Sequence, residues 1–268
     1  MTNATSLALI AAALYLVSGV LIGVRLFYGR SESGWKRTLP LVIGLFGSLA
    51  HGVLLYQSII VPEGLNLGFF NAFSLVAWTV ALLLLLTSLI NPVENLGIVT
   101  LPLAVLAIVL DLRFPNSGVL PQTASWGMKI HILVSLLAYS LLTLASIQAV
   151  LLAIQDQHLH NRQPGGFIRA LPPLQTMENL LFEMIGVGFV LLTLSLLSGF
   201  AYLENMFAQH VAHKTILSIV AWFVFATLLW GRFRYGWRGR TALIWTLSGF
   251  VVLMLAYFGS KAVIELIL

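Results

Sequence analysis

The chain contains no cysteine and very little charge. Without thiols there can be no disulfide, no thiolate metal site, no Cys-ligated iron–sulfur cluster and no thiol redox chemistry. Charged residues make up 9% of the 268 residues, against roughly 25% in an ordinary soluble domain. Acids are scarcest where an ion-coupled pump would need them. The deepest, Glu183, stands only about two turns into an apolar segment, so no midplane carboxylate relay is present. There is no phosphate-cradling loop and no His-Glu-x-x-His pair. The net charge of +5 does not suggest nucleic acid, because the basic residues flank apolar runs.

What the chain has in excess is apolar sequence: 59% of residues, with a mean hydropathy of +0.98. No soluble core needs so much, and the composition describes an integral membrane protein. Eight runs are long enough to span, at about 5–28, 38–60, 72–90, 95–112, 127–155, 177–202, 213–231 and 241–264. The expected fold class is therefore all-α, a polytopic bundle of eight transmembrane helices forming one integral membrane domain over residues 1–268. The turn Asn91–Asn95 joins the third and fourth spans, Pro102 is a candidate kink in the fourth, and the fifth is longer than a bilayer needs. The first run, Ser6 to Tyr28, lacks a basic leader and reads as a retained helix rather than a cleaved signal.

Basic residues set the expected orientation. With the N-terminus outside, Arg25, Arg30, Lys36, Arg37, Arg162, Arg169, Arg232, Arg234, Arg238 and Arg240 fall inside. Arg113, Lys129, Lys214 and Lys261 fall outside, so the ratio is ten to four and both termini are expected outside. The longest inner connector, Asp156 to Thr176, carries Pro164-Gly165-Gly166 and Pro172-Pro173 and reads as a polar linker.

This orientation gathers four of the six histidines toward the outer surface. His51 lies about nine residues from the outer end of the second span, roughly 13 Å deep. His131 is about one turn inside the fifth span, His213 opens the seventh, and His210 shares its face only if that helix starts early. His158 and His160 belong to the inner connector. An ionisable residue at membrane depth is costly and marks a functional candidate, and imidazole is a common iron ligand. His51 taken alone reads equally well as an interhelical hydrogen-bonding residue, and His210 as an interfacial polar residue.

Aromatics accompany the histidines: Phe69, Phe70, Phe73, Trp78, Trp126, Phe200, Tyr202, Tyr257 and Phe258. They suit a flat apolar macrocycle, and equally the aromatic belt of any membrane interface. Lys129 and Lys214, beside His131 and His213, can pair with a propionate or simply snorkel. The site candidates are thus His51, His131 and His213 for metal, with His210, Trp78, Trp126, Lys129 and Lys214 around a cofactor.

Several segments resemble one family. Ala50-His51-Gly52 is similar to its early transmembrane histidine, and Asn71-Ala72-Phe73-Ser74-Leu75 with Trp78 to the opening of its next helix. Lys129-Ile130-His131-Ile132 with Ala138-Tyr139-Ser140 looks like its external histidine and the run that follows. Leu174 to Gly199, His213-Lys214-Thr215 with Trp222, and Tyr257-Phe258-Gly259 match later segments in order. The chain resembles the CcsA/CcmC/HemX-type cytochrome c assembly membrane proteins, nearest their small CcsA-like YpjD branch, over nearly its whole length.

The resemblance implies non-covalent b-type haem at the outer face of the bacterial inner membrane, handled or delivered for cytochrome c assembly. It lends ligand roles to His51 and His131. The tryptophan-rich external loop of the synthases is missing, the sixth-to-seventh connection being only Glu204 to Ala212. Trp230 stands where the synthases place a histidine, and no histidine follows the last span. His213 is then a replacement ligand, and a complete haem lyase is not expected. Two other functions remain open. One is a HemX-like scaffold recruiting a maturation or haem-biosynthesis protein through the basic loops Arg162–Arg169 and Arg232–Arg240; the other is a transporter for haem or another small molecule.

Overall fold

Eight helices long and apolar enough to cross a membrane make up most of the chain. The computed structural model describes residues 3–27, 35–114, 118–121, 125–161, 168, 171–202 and 209–259. The side chains of residues 3, 35, 36, 119 and 209–212 are outside that description. So are most of the Arg162–Arg169 connector, the 203–208 connection, Arg30 and Lys261.

The described chain falls into two compact units, Met1–Thr123 with Pro164–Pro172, and Ala124–Gln163 with Pro173–Leu268. The first holds α1 (Asn3–Phe27), α2 (Trp35–Ile59), α3 (Phe69–Ile90), a 3-10 turn (Glu94–Leu96) and α4 (Gly97–Arg113). It also holds three short strands: β1 (Ile60–Val61), β2 (Gly64–Asn66) and β3 (Val119–Pro121). Helix α1 packs on α2 and α4, and α3 packs on α2 and α4. The second unit holds α5 (Trp126–His160), α6 (Leu174–Tyr202), α7 (Gln209–Tyr235) and α8 (Gly239–Met254), the last running into a π turn (Leu255–Gly259). There α5 packs on α6 and α8, and α7 on α6 and α8.

The helices are apolar all round, so their packing faces are marked by size and polarity rather than by hydropathy. In α1 the buried positions Ala8, Ala11, Tyr15, Ser18 and Ile22 recur at steps of three and four, one seam of a helix surface. Leu9, Leu16, Val17, Val20 and Val24 on the other faces are exposed, as lipid-facing positions should be. The Ser18 hydroxyl donates to the Pro40 carbonyl at 2.7 Å, fastening α1 to α2.

The sheet is not anticipated by the sequence. Its strands pair antiparallel in the order β1-β2-β3, with Leu65 opposite both Ile60 and Leu120. Strands of two or three residues are too short to show the alternation by which a strand is recognised. Helix α4 runs unbroken from Gly97 through Pro102 to Arg113. Helix α5, at 35 residues, is about 52 Å long and overshoots a hydrocarbon core of about 30 Å.

Opposite the sheet, the first unit ends in an ion cluster. Glu94 in the 3-10 turn faces Arg25 at 3.5 Å and Arg37 at 3.6 Å. Arg37 also donates to the carbonyls of Ser88 and Asn91 at 2.9 and 3.0 Å, satisfying the open C-terminal end of α3. The second unit has its own lock at the α7–α8 turn. Arg232 binds Glu178 of α6 at 2.6 Å, donates to the Trp237 carbonyl, and lies 4.5 Å over the Phe182 ring. Gly236 at φ +68° allows α7 to end there, with its N–H returned to the Arg232 carbonyl at 3.1 Å.

Candidate functional site

His51 is carried by α2, in the half nearer the sheet, and is 0% exposed. Its Nε2 stands 3.0 Å from Ser74 Oγ of α3, and its Nδ1 makes a long 3.5 Å contact with Tyr15 OH of α1. Hydroxyls both donate and accept, so either tautomer satisfies both sides. The imidazole therefore joins three helices, with both ring nitrogens engaged. Trp78 lies one turn on from Ser74. Its Nε1 donates to the Ser48 carbonyl at 2.8 Å, and its ring passes so near α2 that a Cβ on Gly52 would stand 3.2 Å from it. That close approach explains a glycine directly after the histidine. Asn71, a turn before Ser74, donates to the carbonyls of Ser58 and Asn66. It holds the start of α3 against the end of α2 and β2. A cleft of about 520 Å³ opens at this end of the unit, lined by Leu54, Ser58, Asn66, Asn71, Asp111 and Arg113 among others.

His131 is presented differently. It sits six residues into α5 and is half-buried. Its Nδ1 is 3.0 Å from the Ser195 carbonyl and 3.0 Å from Ser198 Oγ, both on α6. A carbonyl only accepts, so Nδ1 carries the proton. Nε2 is then the lone-pair nitrogen, and it has no hydrogen-bond partner among the described residues. A metal-binding histidine usually has this arrangement, with one nitrogen donating to a backbone carbonyl and the other presenting its lone pair.

His210 and His213 both lie in the first turns of α7, because that helix starts at Gln209, four residues earlier than expected. His213 is exposed; the His210 side chain is outside the described residues. Lys129 places its Nζ 5.1 Å over the Trp126 ring, and Trp126 itself is 79% exposed. Lys214 follows His213 at the same end of the unit and is half-buried. His158, at the far end of α5, bonds the Ile154 carbonyl at 2.8 Å. Among the described residues no three His, Asp or Glu side chains gather to hold an ion. A haem iron needs only one or two axial ligands, so the donor set at His131 fits haem rather than an all-protein metal cage.

The structure also brings together motifs that are far apart in sequence. The buried ring of Tyr139 lies 5.1 Å from Tyr257, 5.7 Å from Phe258 and 5.9 Å from Phe250. Tyr257 and Phe258 sit in the π turn, a helix irregularity that often marks function. Trp222 of α7 stacks 5.3 Å from Phe189 of α6 and donates to Thr193 Oγ1 at 2.8 Å. Trp230 is exposed on α7. Ser74, Tyr15, Ser195 and Ser198 are the partners that sequence reasoning did not single out. A hydroxyl pair three residues apart inside an apolar span, as at Ser195 and Ser198, is the one sequence signal that could have suggested them.

Eight helices long and apolar enough to cross a membrane, with histidines carried on several of them, define a multi-pass membrane protein. The chain belongs to the family described as Cytochrome C assembly protein, whose profile matches residues 39–268. It is 35% identical to inner membrane protein YpjD of Escherichia coli strain K12, over 97% of this chain and 98% of that protein. It is 24% identical to the cytochrome c biogenesis protein CcsA of Prochlorococcus marinus, over 91% of this chain and 86% of that one. The CcsA of Microcystis aeruginosa is also 24% identical, over 83% of this chain and 86% of its own length. No solved structure matches the chain.

Proposed function

We propose that this protein takes part in cytochrome c biogenesis by holding haem non-covalently at the outer face of the inner membrane and passing it on. The observation that carries this reading is the presentation of His131: Nδ1–H is anchored on α6, and Nε2 has no hydrogen-bond partner among the described residues. His213, exposed at the same end of the second unit, is the candidate second ligand. His51 would ligate only by exchanging its Ser74 bond. Lys129, Lys214 and Trp126 would meet propionates or the macrocycle edge, and the Tyr139–Tyr257–Phe258 cluster would supply an apolar wall. When bound, haem supplies iron redox chemistry; the chain's own residues bind the iron, orient the ring and exclude water. The outer location rests on the ten-to-four distribution of basic residues.

Absorbance of the detergent-purified protein, before and after haem addition, tests the proposal. A Soret band is expected, and His131→Ala should weaken haem affinity by about 10-fold or more. A protein that stays colourless after haem is added refutes it. Unchanged spectra in both His131→Ala and His213→Ala refute the ligand assignment.

A second reading, recruitment of a maturation or haem-biosynthesis protein, draws on the α7–α8 turn, where Arg234, Arg238 and Arg240 are exposed and Phe233 is 89% exposed. Partner capture that survives loss of His51, His131 and His213, but fails when these arginines are replaced, would favour it.

A further inference from the structure

We propose that the α7–α8 turn binds an anionic phospholipid, with Arg234, Arg238 and Arg240 on its phosphate and its acyl chains along an exposed stripe of α7. This goes beyond the haem-holding reading and does not depend on it. Charge at the turn is unbalanced. From Asn205 to Ile264 the chain holds no Asp or Glu, so α7 and α8 carry no carboxylate of their own. Glu178 of α6 reaches the turn and is taken by Arg232 at 2.6 Å. Arg234, Arg238 and Arg240 are exposed, and none of them forms an ion pair among the described residues. A guanidinium matches phosphate oxygens with paired hydrogen bonds.

The turn is held in one shape. Trp237 N–H returns to the Gly231 carbonyl at 3.2 Å, and the Trp237 carbonyl accepts from Arg232 at 3.2 Å. The Trp237 ring lies 5.5 Å from Trp245 and 6.5 Å from Tyr235. It covers Gly231 so closely that no Cβ would fit there. Arginines on a fixed turn lose less freedom on meeting a headgroup than they would on a slack loop.

Helix α7 supplies the apolar half of the site. Ile216, Val220, Phe223, Thr227 and Trp230 recur at steps of four and three and are all exposed, and the next position in that series is Arg234. One stripe of the helix therefore runs from lipid-facing side chains to a cation, the order of an acyl chain and its phosphate. Phe233, 89% exposed, stands beside Arg234, as an aromatic ring does at headgroup level.

Native mass spectrometry of the full-length protein in detergent, titrated with phosphatidylglycerol or phosphatidylcholine, tests the site. Phosphatidylglycerol should bind about tenfold more tightly or better, with the preference shrinking in high salt. Arg238→Gln should weaken it about fivefold, and joint replacement of Arg234, Arg238 and Arg240 by Gln should abolish the preference. Arg113→Gln, at an exposed arginine of the first unit, should change nothing. Equal binding of the two lipids would overturn the proposal, and this is the result expected if the arginines only set orientation or recruit a protein. A triple variant that keeps the preference would overturn it too, as would an Arg113→Gln variant that loses it. Glycerophosphoglycerol, the same headgroup without acyl chains, should not displace the lipid; displacement at equal concentration would make the ligand a soluble phosphate and refute the lipid assignment.

Discussion

Two histidines of similar sequence setting are used in opposite ways. His51 and His131 each stand in an apolar helix among small and aliphatic neighbours. His51 has a hydroxyl at each nitrogen, whereas His131 has both partners at one nitrogen and, among the described residues, none at the other. The difference comes from residues on other helices. His51 is accordingly a stabilising link: His51→Ala removes the Ser74 hydrogen bond and the long Tyr15 contact and opens a void. It should cost about 2–3 kcal/mol, read as a lower midpoint in thermal unfolding of the detergent-solubilised protein. An unchanged midpoint would refute the link. His131→Ala gives up one partly buried hydrogen bond, about 1 kcal/mol, and its main effect should fall on haem. The presence of both histidines inside spans is legible in the chain. Their partners are not, because a serine or tyrosine in a membrane helix looks alike whether it bonds its own backbone or a neighbouring ring.

At the scale of elements, each unit is fastened at its arginine-bearing end by a carboxylate. Glu94 holds Arg25 and Arg37, and Glu178 holds Arg232. The Glu178–Arg232 bond ties α6 to the end of α7 where the chain turns into α8. Breaking a buried pair by removing one partner costs more than the pair contributes, since the other charge is left uncompensated. Arg232 keeps some solvent exposure, so Arg232→Ala should cost about 2 kcal/mol. The loss should be accompanied by protease sensitivity at the α7–α8 turn; a variant as stable and as resistant as the parent would remove the lock from the account. The eight helices could be read from hydropathy because each is a long, uninterrupted apolar run. The three-stranded sheet could not, because its strands are too short to carry a period and its third strand joins from over fifty residues away.

At the scale of the whole molecule, orientation is a question of charge. The exposed Arg234, Arg238 and Arg240 at the α7–α8 turn predict a cytoplasmic position for that turn. A reporter inserted after Trp237 should be active in its cytoplasmic form and silent in its periplasmic form; the reverse would invert the topology and move the His131 end to the cytoplasm. Composition, span lengths and basic flanks determined by themselves that this is an eight-helix membrane protein, because burial in lipid imposes its demands segment by segment on backbone hydrogen bonding and hydropathy. Only the tertiary structure decided which nitrogen of His131 carries the proton. That choice depends on the Ser195 carbonyl, more than sixty residues from His131 in sequence and brought to its ring by the packing of α5 on α6.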